Sequence, residues 1–80
     1  SSNEALFSHQ IRVSPESVKT QINYAVVLRN QHDLDGAERL AREAVVRYPP
    51  FTEGLYVLAT VAVARNDLAA AERWLLRALK

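Results

Sequence analysis

A block of sequence recurs in this chain after 34 residues, and this spacing constrains the fold more than any other feature. Asp33-Leu34 returns as Asp67-Leu68, Ala37-Glu38-Arg39 returns as Ala71-Glu72-Arg73, and Ala44 returns as Ala78. Superposing 18–46 on 52–80 also aligns Ala25 with Ala59 and Val27 with Val61. A period of this length, built largely from residues that favour helices, predicts an array of stacked helical repeats.

Composition excludes several functional classes. Hydrophobic residues make up 49% of the 80 residues, enough for a continuous apolar stripe in an array whose units pack only on their neighbours. The net charge of +1 argues against a nucleic-acid or acidic-membrane surface that depends on bulk charge. The chain has no cysteine, so disulfides and thiolate metal sites are excluded. The apolar run over 55–64 is too short to cross a bilayer and predicts a buried helix.

Apolar periodicity and helix breakers predict five helices with short connections and no strand. Pro15 closes the first helix and begins the second, because proline fits only the first turn of a helix. Ser14 or Ser17 is expected to cap the second helix. Short connections predict that neighbouring helices pack antiparallel. The predicted helices cover 3–13, 16–31, 35–48, 53–65 and 69–80.

The turns between helices show a second pattern. His32 and its counterpart Asn66 stand where a left-handed residue is needed, and both residue types tolerate positive φ. Asp35 and Glu38 have the spacing of a helix N-terminal cap. Thr52 is expected to cap the fourth helix, with Phe51 and Tyr56 spaced as a hydrophobic staple. These expectations concern backbone geometry and can be compared directly with the structure.

The helix–turn–helix–proline order resembles the tetratricopeptide repeat. The residues that carry the resemblance are Gln21, Tyr24, Ala25, Leu28, Ala37, Ala41, Ala44 and Pro49 in the first unit, and Leu55, Leu58, Ala59, Ala62, Ala71, Leu75 and Ala78 in the second. The resemblance implies an all-α fold: antiparallel helix-turn-helix repeats stacked as a short right-handed superhelix of about five helices. The small residues lie where helices approach most closely, because a larger side chain there would force the helices apart.

Some positions depart from the family pattern. Gln21 is polar where tryptophan is usual, and Ala41 and Ala62 are small where aromatic residues are usual. Because cores can exchange volume between neighbouring positions, Trp74, Tyr24 and Leu40 are expected to fill the space.

The register also predicts the division of the chain into units. Ser1 and Ser2 (1–2) are interpreted as a non-native remnant, and 3–15 as the second helix of a truncated preceding repeat. A complete repeat is expected over 18–51, and a second one, cut in its last helix, over 52–80. That last helix is almost apolar, whereas natural arrays end on a polar capping helix. Trp74, Leu75, Leu76 and Leu79 are therefore expected to form an end interface, either within a longer array or with another copy of the chain.

In arrays of this family the first helix of each unit lines a concave face. The resemblance implies ligand contacts at Lys19, Ile22, Asn23, Val26, Arg29 and Asn30 in the first unit, and at Tyr56, Val57, Thr60 and Val63 in the second, flanked by Glu53 and Ala64. This face changes from polar and basic to apolar along its length. A peptide with an acidic group near one hydrophobic anchor would suit it. The carboxylate clamp of chaperone-binding members is not supported, because only Lys19 and Asn23 partly match it.

No catalytic, cofactor-binding or metal-binding residues are predicted. His9 and His32 lie in different units without a nearby carboxylate or second histidine at helical spacing, so they are interpreted as solvated or turn residues. The charged residues around Glu38 and Arg42 are interpreted as surface pairing. Trp74 is expected to pack against a neighbouring helix rather than to anchor a partner.

The leading function is a scaffold that binds a protein or peptide, with no nucleic-acid partner and no membrane insertion. One alternative is an accessory repeat domain of a larger enzyme such as a glycosyltransferase, because the segment 4–31 is similar to repeats of the transmembrane O-mannosyltransferases in its Leu-Phe, Val-x-Pro and Asn-Tyr-Ala. The other alternative is self-association through the apolar end helices. The sequence indicates no cell compartment.

Overall fold

A computed structural model describes residues 15–49 and 51–80 of the chain. Within these residues the fold is all-α, as predicted, with four helices and no strand. The predicted helix over 3–13 lies outside the described residues. The four helices are α1 (Pro15–Asn30), α2 (Leu34–Arg47), α3 (Thr52–Ala64) and α4 (Leu68–Ala78). Each helix packs on the next one along the chain, and α1 also contacts α3.

The α1–α2 and α3–α4 turns are two copies of one backbone motif. His32 and Asn66 have positive φ, at 65° and 61°, as their positions in the repeat predicted. The Asp33 amide donates to the Leu28 carbonyl and the His32 amide donates to the Arg29 carbonyl, at 2.8 and 2.9 Å. This pair of bonds is a Schellman motif, which satisfies carbonyls left without partners at a helix end.

The second turn repeats the first. The Asp67 amide donates to the Ala62 carbonyl and the Asn66 amide donates to the Val63 carbonyl, both at 2.8 Å. The hydrogen bonds thus recur with the 34-residue period. A left-handed residue is required at one place in each turn, and the chain uses two different residue types for it.

The helix caps differ from the predicted ones. Asp33, not Asp35, is the N-cap of α2, and its carboxylate accepts a hydrogen bond from the Gly36 amide at 3.1 Å. Asp67 does the same for α4 through the Ala70 amide, also at 3.1 Å. The prediction was wrong because the Schellman turn takes only two residues, so α2 begins at Leu34 and Asp35 is already helical.

The predicted cap and staple of α3 are also corrected. Phe51 is the N-cap of α3 and makes no side-chain capping bond, while Thr52 is the first helical residue. A hydrophobic staple joins the residue before the cap to the fourth helical residue. Phe51 is itself the cap rather than the residue before it, and Tyr56 is the fifth helical residue rather than the fourth. The pair therefore does not form a hydrophobic staple. Phe51 instead packs against the core, and Tyr56 is exposed.

Alanines form the centre of the core, as the resemblance implied. Four of them have no exposed surface: Ala25, Ala37, Ala41 and Ala44. The largest fully buried side chains are Leu58 and Val61 of α3. Alanine at these places lets α1, α2 and α3 approach closely, because each position has room for a methyl group only.

A glycine sets the approach of α3 to α2. A Cβ added at Gly54 would lie 2.7 Å from Cγ2 of Val45 and 3.0 Å from the ring of Phe51. Real Cβ contacts are not that short, and Val45 and Gly54 are both buried. Gly54 is therefore needed for the close contact between the two predicted repeats.

The prediction that Trp74, Tyr24 and Leu40 fill the space left by missing aromatic residues is partly confirmed. Leu40 and Trp74 are partly buried and pack against the core. Tyr24 does not, because 57% of its surface is exposed. Gln21 takes a different role: its side-chain amide donates to the Leu40 carbonyl at 2.9 Å and to the Glu43 carboxylate at 3.3 Å. A polar link between α1 and α2 thus stands where the family pattern has an aromatic ring.

Candidate functional site

A hydrogen bond joins two residues of the predicted ligand face across α1 and α3. The Arg29 guanidinium, in the last turn of α1, donates to the Thr60 hydroxyl at 2.8 Å. Thr60 in turn donates to the Val57 carbonyl within its own helix, also at 2.8 Å. The hydroxyl is therefore both an acceptor and a donor, which fixes its orientation. This contact brings the two predicted groups of ligand-binding residues together.

The Arg29 guanidinium is oriented by neutral groups only. Besides Thr60, its acceptor is the side-chain oxygen of Asn30, at 3.3 Å from Nε and 3.1 Å from Nη2. No carboxylate among residues 15–49 and 51–80 forms an ion pair with it. Arginine cannot be deprotonated in a protein, so a full positive charge is held here without an ion-pair partner from the described residues.

The remaining face residues divide into exposed and buried ones. Lys19, Asn23 and Asn30 are exposed on α1, and Val26 is partly buried. On α3, Tyr56 and Val63 expose about half of their surface, on either side of Thr60 along the helix. The exposed part of the face is thus polar and basic on α1 and more apolar on α3.

Two predicted contact residues are corrected by their burial. Ile22 and Val57 expose only 3% and 7% of their surface and belong to the hydrophobic core. Each sits beside an exposed neighbour in sequence, Asn23 and Tyr56, but is turned about 100° around the helix towards the packed side. Ile22 and Val57 pack in the core below the exposed face residues and offer almost no surface to a ligand.

A chain of charged groups links α2 to the C-terminal end of α3. Arg65, which ends α3, contacts Asp35 at 2.5 Å and Glu38 at 3.4 Å. Glu38 pairs with Arg42 at 2.8 Å, which confirms the predicted surface pairing. The hydrogen bond from Arg65 to Asp35, the largest cause, raises the pKa of the Arg65 guanidinium, and the charges of both carboxylates add to it.

Trp74 continues this chain to α4. The guanidinium carbons of Arg42 and Arg77 each lie 5.1 Å from the centre of the Trp74 ring, within the range of cation–π attraction. The ring also packs against the core, so the predicted packing role of Trp74 is confirmed. The other three predicted end-interface residues, Leu75, Leu76 and Leu79, are exposed.

A sequence model of the tetratricopeptide repeat matches residues 19–43 and 52–77, together more than half of the chain. The chain belongs to the tetratricopeptide repeat family. The two matched segments start in α1 and in α3, so each TPR match covers one helix pair. No curated protein and no solved structure matches the chain. The resemblance to O-mannosyltransferase repeats therefore stays a prediction.

TPR repeats generally mediate protein–protein interactions and are typically non-enzymatic scaffolds. The described part of this TPR chain holds no cluster of three or more potential metal ligands. Its longest helix, α1, has 16 residues, fewer than a bilayer crossing requires.

Sequence reasoning missed two features of this TPR surface. The recurrence of Asp33 as Asp67 was a signal for the true caps, since each precedes its amide donor by three residues. The sequence carries no comparable signal for the Arg42–Trp74 contact. The residue 34 positions after Arg42 is Leu76, so the arginine does not recur in the next repeat.

Proposed function

We propose that the α1–α3 face binds an extended segment of a partner protein, with an acidic side chain of that segment at Arg29. The observation that carries the proposal is the hydrogen bond from Arg29 to Thr60, at 2.8 Å, made by a guanidinium that forms no ion pair with a carboxylate of the described residues. An oriented guanidinium presents a fork of donors that matches a carboxylate. Because Arg29 is already held in place, less side-chain entropy is lost when the carboxylate binds.

The spacing of the apolar neighbours suggests a sequence pattern for the ligand. Tyr56 and Val63 lie four residues before and three residues after Thr60, which is about 6 Å and about 4.5 Å along the helix. In an extended peptide, side chains on the same side are about 6.6 Å apart. A suitable ligand therefore has an acidic residue with an apolar residue two positions away on one or both sides.

The two repeat units that form this face are proposed to run over 18–51 and 52–80. The recurrence of the left-handed turn at His32 and Asn66, followed by the Asp33 and Asp67 caps, supports these boundaries.

Selection from a random peptide library against the 80-residue chain tests the proposal, followed by titration of the enriched peptides. We expect the peptides to contain an Asp or Glu with an apolar residue two positions away. Arg29→Gln should weaken their binding at least about tenfold, since a hydrogen bond between charged groups contributes about 1.5–3 kcal/mol. Tyr56→Ala should weaken it as well, by removing exposed apolar surface.

Arg73→Gln is the matched control, because Arg73 is exposed and lies on α4, away from the face. It removes the same charge from the protein and should leave peptide affinity within about twofold, since distant exposed charges are screened by salt. Peptides without acidic residues, or equal losses from Arg29→Gln and Arg73→Gln, would show that the proposed site is wrong.

A further inference from the structure

Glu53 is the only charged residue of α3, and its side chain is exposed. It lies seven positions before Thr60, so the two residues differ by about 20° around the helix and by about 10.5 Å along it. Its carboxylate forms no hydrogen bond or ion pair within the described part of the chain. The proposed peptide-binding face therefore ends, beyond Tyr56, at an exposed negative charge.

The position of Glu53 in the first turn of α3 has a local effect of its own. A helix favours an acidic residue there, because its dipole is positive at the N-terminus. In α2 the acidic residue of the first turn, Asp35, also pairs with a cation, Arg65. Glu53 has no such partner among the described residues, so its charge is accessible to a ligand.

The residue at the equivalent place in the first unit has the opposite charge. Lys19 lies 34 positions before Glu53 and is exposed on α1. It is ten positions before Arg29, which is about 15 Å along α1 and about 80° around it. α1 and α3 run in the same direction, since both pack on α2 through short connections. A ligand held at Arg29 and Thr60 that runs along α3 therefore reaches Glu53 before Lys19.

The spacing along α3 converts into positions along an extended ligand. Side chains on one side of an extended chain recur every two residues, so the second and fourth residues lie about 6.6 and about 13 Å from the first. Tyr56 and Glu53 lie about 6 and about 10.5 Å from Thr60 along the helix. The difference at Glu53 is within the reach of a flexible Lys or Arg side chain. The fourth residue from the acidic one is thus the residue that meets Glu53.

A ligand that lies the other way does not find this partner. Its fourth residue would lie beyond Val63, where α3 ends at Ala64 without an acidic residue. Arg65 follows there, and it already contacts Asp35 and Glu38. Reversal of the ligand therefore loses one attraction and brings two cations to the same end of the helix.

We propose that the partner segment carries a Lys or Arg four positions from its acidic residue, paired with Glu53, and that this pair fixes the direction of the segment along α3. The proposal rests on the acidic contact at Arg29 proposed above. It gives the segment a basic, an apolar and an acidic residue at every second position, in that order from the N-terminal end of α3.

The peptides enriched from the library, with blocked termini, are the probes. They should share a Lys or Arg four positions from the acidic residue, always on the same side of it. Glu53→Lys should weaken their binding about five- to tenfold, because it replaces an attraction by a repulsion in an exposed pair. A change of the basic residue of the peptide to glutamate should weaken its binding to the unchanged chain by a similar factor. Glu53→Lys should bind this altered peptide more tightly than the unchanged chain does, a reversal that loss of helix stability cannot produce.

Glu72→Lys is the matched control, because Glu72 is exposed on α4 and forms no ion pair with the described residues. It makes the same change of charge away from the face and should leave the affinity for both peptides within about twofold. Glu53→Gln, which removes the charge without adding a cation, should give a smaller loss than Glu53→Lys. Circular dichroism of each variant checks that the helices remain.

Two results would overturn the pairing at Glu53 alone. One is enrichment of peptides without the basic residue, or with a second acidic residue in its place. The other is an equal effect of Glu53→Lys on both peptides. In either case a loss of binding in Arg29→Gln would leave the acidic contact standing. If Arg29→Gln leaves the affinity unchanged, the acidic contact and the pairing at Glu53 are both wrong.

Discussion

His32 and Asn66 hold the same left-handed backbone conformation 34 residues apart, at φ of 65° and 61°. Both occupy the C′ position of a Schellman motif, where glycine is the usual residue. Asparagine tolerates this conformation better than most residues, and histidine is less common there than glycine or asparagine. The two turns therefore share one geometry and differ in the strain that each residue type brings to it.

This difference predicts that His32→Gly stabilises the chain. Removing the side chain relieves left-handed strain, and we expect the free energy of unfolding to rise by about 1 kcal/mol. Asn66→Gly should give a smaller gain, because asparagine is already tolerated. Urea denaturation of both variants measures the difference. A loss of stability in His32→Gly would mean that its side chain makes a contribution larger than the strain.

The two glycines should respond in opposite ways to alanine, although each is the third residue of its helix. Gly54→Ala forces a Cβ against Val45 in the core and should cost about 1–3 kcal/mol. Gly36→Ala meets only the flexible carboxylate of Asp33, and Ala70 occupies the same place in the second turn. Gly36→Ala should leave the free energy of unfolding unchanged or raise it by up to about 1 kcal/mol, because alanine has a higher helix propensity than glycine. Thermal melts of the pair measure this, and equal effects would contradict the close approach at Gly54.

The alanine spacers should not accept larger side chains. Ala37→Leu inserts three carbons where α2 packs on its neighbours α1 and α3, and Ala71→Leu does so where α4 packs on α3. Each should cost about 1–3 kcal/mol through overpacking. Ala69→Leu is the control, since Ala69 is exposed on α4. Chemical denaturation compares the three variants. If Ala37→Leu melts like Ala69→Leu, the assigned repeat register is incorrect.

The contact of Arg65 with Asp35 should depend on salt and, near neutrality, not on pH. Arg65→Gln should lower the melting temperature at low ionic strength, and the loss should disappear near 1 M salt, where exposed charges are screened. The pKa of Arg65 is raised, so its contribution is complete below the unfolded-state pKa and is lost only at higher pH. No pH dependence from this group is therefore expected near neutrality.

Arg73→Gln serves as the comparison for the salt experiment, because Arg73 forms no ion pair with the described residues. Its melting temperature should be the same as that of the unchanged chain at both salt concentrations. A loss in Arg65→Gln that persists at 1 M salt would point to packing by the arginine stem instead.

Backbone features with a local cause were predictable from the sequence. The left-handed turns follow from residue type and repeat position, and the alanine spacers follow from the family register. Features that depend on the relative placement of helices were not. Ile22 and Val57 are buried because neighbouring helices cover them, and Gln21 reaches the Leu40 carbonyl only because α1 and α2 approach closely. Both depend on distances between helices, which residue spacing along one helix does not specify.

The hydrogen bond between Arg29 and Thr60 is also a brace between the two helices that form the candidate binding face. Thr60 takes one N–H of Nη1, and Asn30 takes Nε and one N–H of Nη2, so one N–H on each terminal nitrogen stays free. A carboxylate bound at Arg29 as proposed would use these two, and the brace would remain. The separation of α1 and α3 would then be fixed before the ligand arrives.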